Sequence, residues 1–402
     1  QMCIRDRIDL DLVKSQKLLG AGAFVYSLKD YSMLILQANP AQGQSLDDVK
    51  QLVLAELTKL KKGDFSDDLI TSIINNAKKG QISRNDSYKT RADELVDAFV
   101  TGVDWTSQVS YLDNLSRITK KDIVDFANKY LNDQNYVAVY KRQGVDDKVV
   151  KVVKPAITPV SVNREDQSDF LKKVDMMQEN AIQPVWLDYG KEVQKAKLFD
   201  TDVLAVQNKD NELFSLTYQY KIGKWNNKLL SLAAGYLEFL GTKDRSSEDF
   251  SKEFYKLASS FSVSSGNEET NISISGLNTN FDKTVSLIQD LVKNCVVDQA
   301  AFDSYIARLK KSRINAKENK GVIMEGLKSY AKYGAKNPFN YTFTDAELDA
   351  IKAEDLVRLL HDFANMRHTV LYFGPKTSTV LVAELKPLKV DRRAYTEVQE
   401  GT

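Results

Sequence analysis

The sequence is poor in the two residue types on which most metal and nucleophilic catalysis depends. It contains two His and two Cys in 402 residues. Cys3 and Cys295 are 292 positions apart, so they offer neither a disulfide framework nor a cysteine-type zinc site. With only two His, the chain has little material for a His-based metal site or a Ser-His-Asp triad. We therefore expect this chain to act almost without imidazole chemistry.

An excess of charge of either sign is also missing. The 56 Lys and Arg residues balance 55 Asp and Glu residues, which leaves a net charge of +1. This balance excludes the basic footprint of a general nucleic-acid binder and the acidity of a disordered solvating chain. No run approaches the roughly 18 apolar residues of a transmembrane helix, so we expect no membrane span. Residues 1–7 lack the apolar core of a signal peptide, and we expect the chain to begin inside a longer protein.

Proline marks a boundary between two domains. Only seven Pro are present, and Pro155, Pro159 and Pro184 fall within one stretch of 30 residues. Proline fixes φ and lacks an N–H donor, so this stretch suits a linker better than a sheet or helix. The predicted organisation is a first domain at residues 8–145, a linker at 146–189, a second domain at 190–380 and a tail at 381–402.

The two predicted domains resemble each other in sequence. Residues 118–130 align without gaps with 351–363 at an offset of 233, and Ile, Asp and Val recur at matching positions. Residues 70–79 align with 302–311 at an offset of 232. Residue class and element order agree together over some 110 positions, which favours a duplicated domain over chance.

Each copy is predicted to run strand, helix, long helical stretch, helix, strand. Segregated strands and helices favour an α+β fold of tandem repeated domains, each a mixed or antiparallel sheet covered by helices. A hairpin is also predicted around Gly266 and Asn267, because apolar and polar residues alternate on both sides of this pair. The predicted strands are 32–38 and 136–140 in the first copy, and 213–222, 261–265, 271–276 and 369–373 in the second.

Three features could signal chemistry, and each has a simpler explanation that we favour. Gly20 and Gly22 lack the third glycine of a phosphate loop, so a turn or strand-edge pair fits better. His361 and His368 are seven residues apart, but the repeat alignment places His368 outside the helix, which favours surface or capping histidines over zinc ligands. The basic runs 59–62, 310–313 and 317–320 fit solvated helix faces. A patch for anionic peptide or lipid remains the alternative for these runs.

The second copy resembles a known family. A strand at 213–222 precedes an apolar helix that ends in Phe239-Leu-Gly-Thr242, and a helix from Ile351 feeds the strand at 369–373. This order resembles the insulinase-like metallopeptidases, or inverzincins, which include pitrilysin and the mitochondrial processing peptidase. Their catalytic domain carries H-x-x-E-H, two further residues and then F-x-G-T. The resemblance covers about residues 10–380.

The resemblance implies a zinc-dependent metalloendopeptidase made of four α+β domains in two halves around a peptide chamber. Residues 8–145 resemble the second domain, 146–189 the linker between halves, and 190–380 the third, inactive domain. Residues 381–402 would be the start of a truncated fourth domain or a tail. The zinc-binding first domain is missing from the sequence, so zinc is expected in the full-length family member and no cofactor in this chain.

The motif positions in this chain are degenerate. Counting back from Phe239, the two zinc histidines fall on Leu232 and Tyr236, and the general-base glutamate falls on Gly235. The third ligand would fall near residues 309–315, where no carboxylate stands. We therefore predict that this chain has no catalytic and no metal-binding residue, and its substrate-binding residues are unknown.

The leading interpretation is the non-catalytic central portion of a peptide-degrading zinc metallopeptidase. The alternative is a stand-alone inactive paralogue that serves as partner or scaffold subunit of an active peptidase. Expected partners are peptides or unfolded polypeptide and the missing catalytic domain or an active subunit, without nucleic acid. The alternating strands 213–222 and 271–276 also suggest that an extended peptide adds to a sheet edge there. Similarity to bacterial members implies the periplasm or cell envelope.

Overall fold

The structure is a computed structural model that describes residues 8–41, 43–142, 144–145, 153–159, 166–178 and 181–388. Cys3 and most of the predicted tail lie outside these residues. The strands are β1 Gly20–Ser27, β2 Ser32–Asn39, β3 Gln194–Leu198, β4 Thr201–Gln207, β5 Leu213–Tyr220, β6 Ser260–Ser265, β7 Thr270–Leu277 and β8 Thr369–Gly374. The helices are α1 Leu46–Lys62, α2 Asp68–Asn85, α3 Tyr88–Thr101, α4 Trp105–Val109, α5 Tyr111–Ser116, α6 Lys120–Tyr130, α7 Asp169–Asp175, α8 Tyr189–Glu192, α9 Leu230–Tyr236, α10 Ser247–Lys256, α11 Phe281–Asn294, α12 Gln299–Ala316, α13 Lys320–Tyr333, α14 Asp345–Ala350, α15 Ala353–Asp362 and α16 Ser378–Leu388.

The chain divides into two compact units. One contains the residues up to Tyr136 together with those from Gly190 onward, and the other contains the intervening residues 137–189. In the second unit the structure describes α7, while Pro155, Pro159 and Pro184 lie in segments without regular structure. In the first unit we distinguish an N-terminal region, residues 8–136, from a C-terminal region, residues 190–388.

A six-stranded mixed sheet forms the centre of the C-terminal region. Its strand order is β3-β4-β8-β5-β7-β6, in which β4 and β8 are parallel and the other neighbours antiparallel. In β5 the large side chains of Phe214 and Leu216 are buried, whereas Ser215 lies on the opposite, exposed face. This period of two is what a strand with one covered face requires. The predicted α+β class and the β6–β7 hairpin are confirmed.

Helices cover one face of this sheet because each presents an apolar stripe to it. In α11 the residues Phe281, Val285 and Ile288 recur at helical spacing and are each almost completely buried. The ring of Phe281 meets Phe214 of β5 edge-on, with 5.0 Å between ring centroids. Leu356 and Leu360 of α15 complete the same core. The core of the C-terminal region therefore lies between the sheet and α9, α11 and α15.

The helix starts in this region are set by local hydrogen bonds. At α10 the Ser246 side chain accepts from the Asp249 backbone N–H at 3.1 Å, and the Asp249 carboxylate accepts from the Ser246 backbone at 3.0 Å. This capping box satisfies two backbone donors that the helix itself leaves free. Hydrogen bonds from the Ser246 side chain and backbone also lower the pKa of Asp249 below its usual 3.8.

Replacing Ser246 by alanine should cost about 1 kcal/mol of unfolding free energy at pH 7. The pKa of Asp249 is lower in the folded state than in the unfolded state. The stabilisation that its carboxylate contributes is therefore present above pH 3.8 and is lost as the pH falls through the folded-state pKa. The difference between wild type and S246A should therefore shrink on acidification below pH 4. Urea titrations at a series of pH values measure this, and a difference that grows on acidification would contradict it.

Among the described residues, the N-terminal region contains a smaller sheet of two strands, β1 and β2. These strands pair antiparallel over eight residue pairs, from Gly20 with Asn39 to Ser27 with Ser32. A core of side chains from the hairpin, α1, α2 and α6 lies on one face, and Val49, Leu60 and Ala127 are buried in it. This hairpin and the β6–β7 hairpin are each followed by three helices, a segment of short helices and one further helix. The N-terminal region has two short helices, α4 and α5, where the C-terminal region has α14 alone, and no strand among its described residues corresponds to β8.

The predicted strand at residues 136–140 is wrong. The segment carries no strand, and Val137 and Val139 are 87% and 88% exposed. Its counterpart β8 exists because it is held between β4 and β5 on both edges. A β-branched run becomes a strand only where neighbouring strands receive its backbone hydrogen bonds.

The N-terminal and C-terminal regions touch mainly through α2 and α10. Asn76 donates from its side-chain amide to the Tyr255 carbonyl at 2.7 Å, and Lys256 pairs with Asp68 at 3.1 Å.

Within the ranges described, no helix combines the length and apolar character needed to cross a bilayer.

Candidate functional site

Positions 232, 235 and 236, where the resemblance places the family motif, lie together on the short helix α9. The helix is followed by a single 3₁₀ turn at Leu237–Phe239 and a tight bend at Gly241. A Cβ at position 241 would lie 2.3 Å from the Arg245 carbonyl oxygen, so only glycine allows this close approach. The backbone N–H of Thr242 donates to the same carbonyl at 2.8 Å. The bend at the F-x-G-T sequence therefore requires glycine at position 241.

The side chain at position 236 is a structural tyrosine. Tyr236 is fully buried, and its hydroxyl donates to the Asp298 backbone carbonyl at 2.6 Å and accepts from the Asp298 N–H at 3.2 Å. Burial raises the pKa of Tyr236 to about 12, so the phenol stays neutral at physiological pH. The backbone of Asp298, directly before α12, thus serves the hydroxyl both as hydrogen-bond acceptor and as donor.

The other two motif positions are closed by packing. Leu232 belongs to the apolar core and is 7% exposed. Gly235 faces Tyr305 of α12, whose hydroxyl oxygen would lie 2.4 Å from a Cβ at position 235. A carboxylate therefore has no room at the position that carries the general base in the family motif.

Helix α12 presents aromatic rings, not a carboxylate, to α9. The rings of Phe302 and Tyr305 lie 5.6 and 6.1 Å from that of Tyr236, measured between centroids. Residues 309–315, where a third ligand is expected, lie further along α12. In that stretch Lys310 and Arg313 form ion pairs with Asp349 and Asp345.

The contact between α9 and α12 therefore does not fit a zinc ion. A zinc hydrolase needs three protein ligands, an open position for water and a base. The groups that meet here are an aliphatic chain, a glycine and aromatic rings, together with the hydrogen-bonded pair of Tyr236 and Asp298. Across the described part of the chain, no cluster of three His, Cys, Asp or Glu side chains has an arrangement that could hold a metal ion.

The two histidines contact backbone carbonyls from half-buried positions. His361 Nε2 lies 2.8 Å from the carbonyl of Cys295, the residue that directly follows α11, and His368 Nδ1 lies 3.0 Å from that of Met366. His368 follows α15 and precedes β8, outside the helix as expected, and its ring packs against Tyr218 at 5.5 Å. His361 therefore has a capping role, and neither histidine is fully on the surface. The sequence alone could not reveal these contacts, because their partners include residues far away along the chain.

The prediction that extended peptides add to strands 213–222 and 271–276 is wrong. These are β5 and β7, and both are interior strands: β5 lies between β8 and β7, and β7 lies between β5 and β6. A strand can accept an extended peptide only along a free edge. Alternation of apolar and polar residues identifies a strand with one covered face, but it does not tell whether the edges are free.

The sheet face away from the helices carries a groove that sequence analysis missed. It has a volume of about 320 Å³ and lies along β4, β8 and β5. Leu204, Leu371 and Phe373 form its apolar wall, and Ser215 and Thr217 form a polar one. The signal in the sequence is β4, which is apolar at successive positions. Leu204 and Val206 face the groove, and they alternate with Val203 and Ala205, which are buried on the other face. A strand that is apolar on both faces indicates a second packing surface.

Gly20 and Gly22 lie in β1, an edge strand opposite Asn39 and Gln37 of β2. Strand-edge glycines, and not a phosphate loop, are therefore what the structure contains. Neither glycine has a positive φ.

Comparison with known protein families gives a match within the C-terminal region. The family described as Insulinase (Peptidase family M16) matches residues 235–338. No curated protein matches the chain.

Several solved structures are similar to this chain. A peptidase M16 inactive domain from Pseudomonas fluorescens is 13% identical, with 51% of this chain and 52% of that chain covered and a TM-score of 0.43. A mutant of the ferredoxin protease FusC, in complex with Arabidopsis ferredoxin, is 14% identical, with coverage of 100% and 47% and a TM-score of 0.46. The periplasmic protease PqqL from Escherichia coli is 12% identical, with coverage of 100% and 47% and a TM-score of 0.44.

The chain spans about half the length of these solved structures. The family match begins at Gly235 in α9 and extends through α13. It thus contains the F-x-G-T bend whose geometry requires Gly241. The resemblance inferred from the sequence is confirmed: this chain is related to the insulinase-like peptidases of family M16 through residues 235–338.

Proposed function

We propose that the C-terminal region is the non-catalytic M16 domain of a peptide-degrading zinc metallopeptidase whose zinc site lies outside this chain. The observation that carries this proposal is the packing of α9 against α12. At the positions of the family motif, Leu232 and Tyr236 are core residues, and Gly235 is held against Tyr305. A domain without zinc ligands is expected to fill the space with apolar and aromatic groups in this way, since protein interiors are close-packed.

The N-terminal region fits the preceding domain of such an enzyme. Its hairpin is followed by three long helices, short helices and a further helix, an order similar to the one that follows the β6–β7 hairpin of the C-terminal region. We propose that residues 8–145 and 190–380 are tandem copies joined by the linker at 146–189. The resemblance to bacterial members of the family supports the periplasm or cell envelope as the location of this protein.

Extended or unfolded polypeptide is the substrate class that we propose for the complete enzyme. The family that matches residues 235–338 is one of peptidases, which act on polypeptide chains. In this chain, the groove along β4, β8 and β5 is lined by apolar residues and hydroxyl groups, with no charged side chain among them. Such a surface suits a wall that contacts varied peptide sequences without selecting a charge.

Exposed apolar helix faces favour the alternative, which is an inactive subunit that supports a separate active peptidase. In α13 the side chains of Ile323, Leu327 and Tyr330 are each more than half exposed. Such an exposed apolar face would be covered either by a further domain of the same polypeptide or by a partner subunit. Co-expression with an active M16 subunit separates the two, because only a true partner subunit forms a stable complex with a separate chain.

A metal and activity assay tests the leading proposal. The purified 402-residue chain should contain only substoichiometric zinc after dialysis, and it should not cleave quenched fluorescent peptides. The reason is that α9 and α12 supply none of the three ligands that zinc requires. One equivalent of tightly held zinc, with peptidase activity that a chelator abolishes, would overturn the proposal.

A further inference from the structure

Lys79 is a cation without a counter-ion beside the start of β6. It lies on α2, and its Nζ donates to the Ser260 side chain of β6 at 3.4 Å. Among the residues that the structure describes, no carboxylate pairs with Lys79, whereas Lys256, at the same contact between α2 and α10, pairs with Asp68. An ammonium group carries three N–H donors, so two of them are available to a ligand.

The surroundings of Lys79 make its charge costly. The side chain is half-buried, and this burial lowers the pKa of the Lys79 amine below its usual 10.5. The cause is the loss of water around the ammonium, and a single neutral hydroxyl does not replace that hydration. Charges withdrawn from water are paired in most proteins. A bound anion would therefore supply the partner that the chain itself does not.

A row of hydroxyl groups connects Lys79 with the groove along β4, β8 and β5. Ser260 of β6 and Ser275 of β7 are opposite each other, with 3.1 Å between their side-chain oxygens. Ser275 is also opposite Ser215 of β5, which lines the groove beside Phe373 of β8. The three serines lie on the sheet face away from the helices, because apolar residues next to them in each strand pack into the core. The groove and Lys79 are thus two ends of one surface.

The chemistry of this surface indicates a peptide with a free carboxyl end. The groove has no charged side chain, so it does not select acidic or basic side chains. A C-terminal carboxylate, in contrast, is an anion that a peptide carries whatever its sequence. Lys79 can neutralise this carboxylate through a charge-assisted hydrogen bond, and the serine hydroxyls can donate to its oxygens.

The distance from Lys79 to the groove sets the position of an apolar residue in the peptide. Three strand spacings, or about 14 Å, separate β8 in the middle of the groove from β6. An extended chain advances about 3.3 Å per residue, so about four residues span this distance. An apolar side chain at that spacing reaches the groove when the carboxylate reaches Lys79.

We propose that Lys79, Ser260 and Ser275 bind the C-terminal carboxylate of an extended peptide, and that an apolar side chain about four residues earlier occupies the groove. The peptide lies across the strands on the open face of the sheet and adds no strand to it. The inference rests on the proposed function in one respect, which is that the groove contacts peptides. It gives peptides of different sequence the same end point on this surface.

The test measures binding of short fluorescein-labelled peptides to the 402-residue chain. The first peptide has uncharged side chains, a free carboxyl end and one leucine four residues before that end. Its C-terminal amide should bind about tenfold more weakly, because the charge-assisted hydrogen bond to Lys79 is lost. An amide that ends in aspartate offers a side-chain carboxylate instead, and it should recover little of this loss. A free-acid peptide with leucine next to its end should also bind more weakly, since the side chain does not reach the groove.

Lys78 provides a matched control on the same helix. K79Q should weaken binding of the free-acid peptide about tenfold and leave its amide unchanged, so that acid and amide bind this variant equally. K78Q removes the same charge from an exposed neighbour and should keep the difference between acid and amide. F373S changes a half-exposed residue of the groove and should weaken acid and amide alike. Circular dichroism checks that the variants fold.

The outcomes separate this inference from the proposed function. Equal binding of acid and amide by the wild type, equal losses in K79Q and K78Q, or an aspartate amide that binds as well as the free acid would each overturn the carboxylate site. If F373S still weakens binding in such a case, the groove remains a peptide surface and only the role of Lys79 is wrong. Absence of binding by every peptide would overturn both.

Discussion

A glutamate placed at position 235 is expected to unfold the C-terminal region and not to create a catalytic base. A Cβ there would lie 2.4 Å from the Tyr305 hydroxyl oxygen, and Tyr305 is 5% exposed between Tyr236 and Phe239. The variant G235E adds both this overlap and a carboxylate among apolar groups, which together should cost about 3 kcal/mol or more. Urea denaturation followed by circular dichroism measures the loss.

The clash with Tyr305 can be separated from the burial of charge. G235A adds only the Cβ, which in an open helix would be stabilising by about 1 kcal/mol but here should destabilise. Y305F removes the hydroxyl oxygen that the new methyl group would meet. The double variant should therefore be more stable than the sum of the two single effects predicts. Strict additivity, or a G235E chain as stable as wild type, would refute the packing described for α9 and α12.

Replacement of Phe281 by alanine is expected to be among the most damaging single truncations in the C-terminal core. Phe281 is 1% exposed at the start of α11, and its ring contacts Phe214 of β5 at 5.0 Å and Tyr372 of β8 at 6.0 Å. Truncation leaves a cavity between helix and sheet and should cost about 3–5 kcal/mol. The free energy of unfolding from urea titration gives the value.

Phe99 provides the matched control for this truncation. It is 87% exposed on α3, so F99A removes a ring of the same size from a site with little packing. Its effect on the free energy of unfolding should stay within about 0.5 kcal/mol. If F99A is as harmful as F281A, the exposed face of α3 is covered in solution and the single-chain description of that face is wrong.

Local patterns in the sequence were enough to predict the α+β class and the family relation. The alternation around Gly266 and Asn267 predicts the β6–β7 hairpin, because a strand with one covered face must alternate. The F-x-G-T sequence forms a bend in which Gly241 lies so close to the Arg245 backbone that no side chain fits. Both signals act over a few residues, and for that reason they can be detected without tertiary information.

Predictions that depended on neighbours far away along the chain failed. The run at 136–140 has strand composition but pairs with no strand among the described residues, whereas β8 pairs on both sides. The strand at 213–222 was predicted as a peptide acceptor, but β7 and β8 occupy both of its edges. Partners for backbone hydrogen bonds are chosen by the whole fold, so composition can state only that a segment is able to form a strand.

The sequence by itself determined which residues stand at the predicted motif positions: Leu232 and Tyr236 where zinc histidines are expected, and Gly235 where the general base is expected. Only the tertiary structure decided what replaced them. It brings Phe302 and Tyr305 of α12 onto α9 and joins Tyr236 to Asp298, 62 residues away. These contacts arise from packing between distant segments, which no local pattern records.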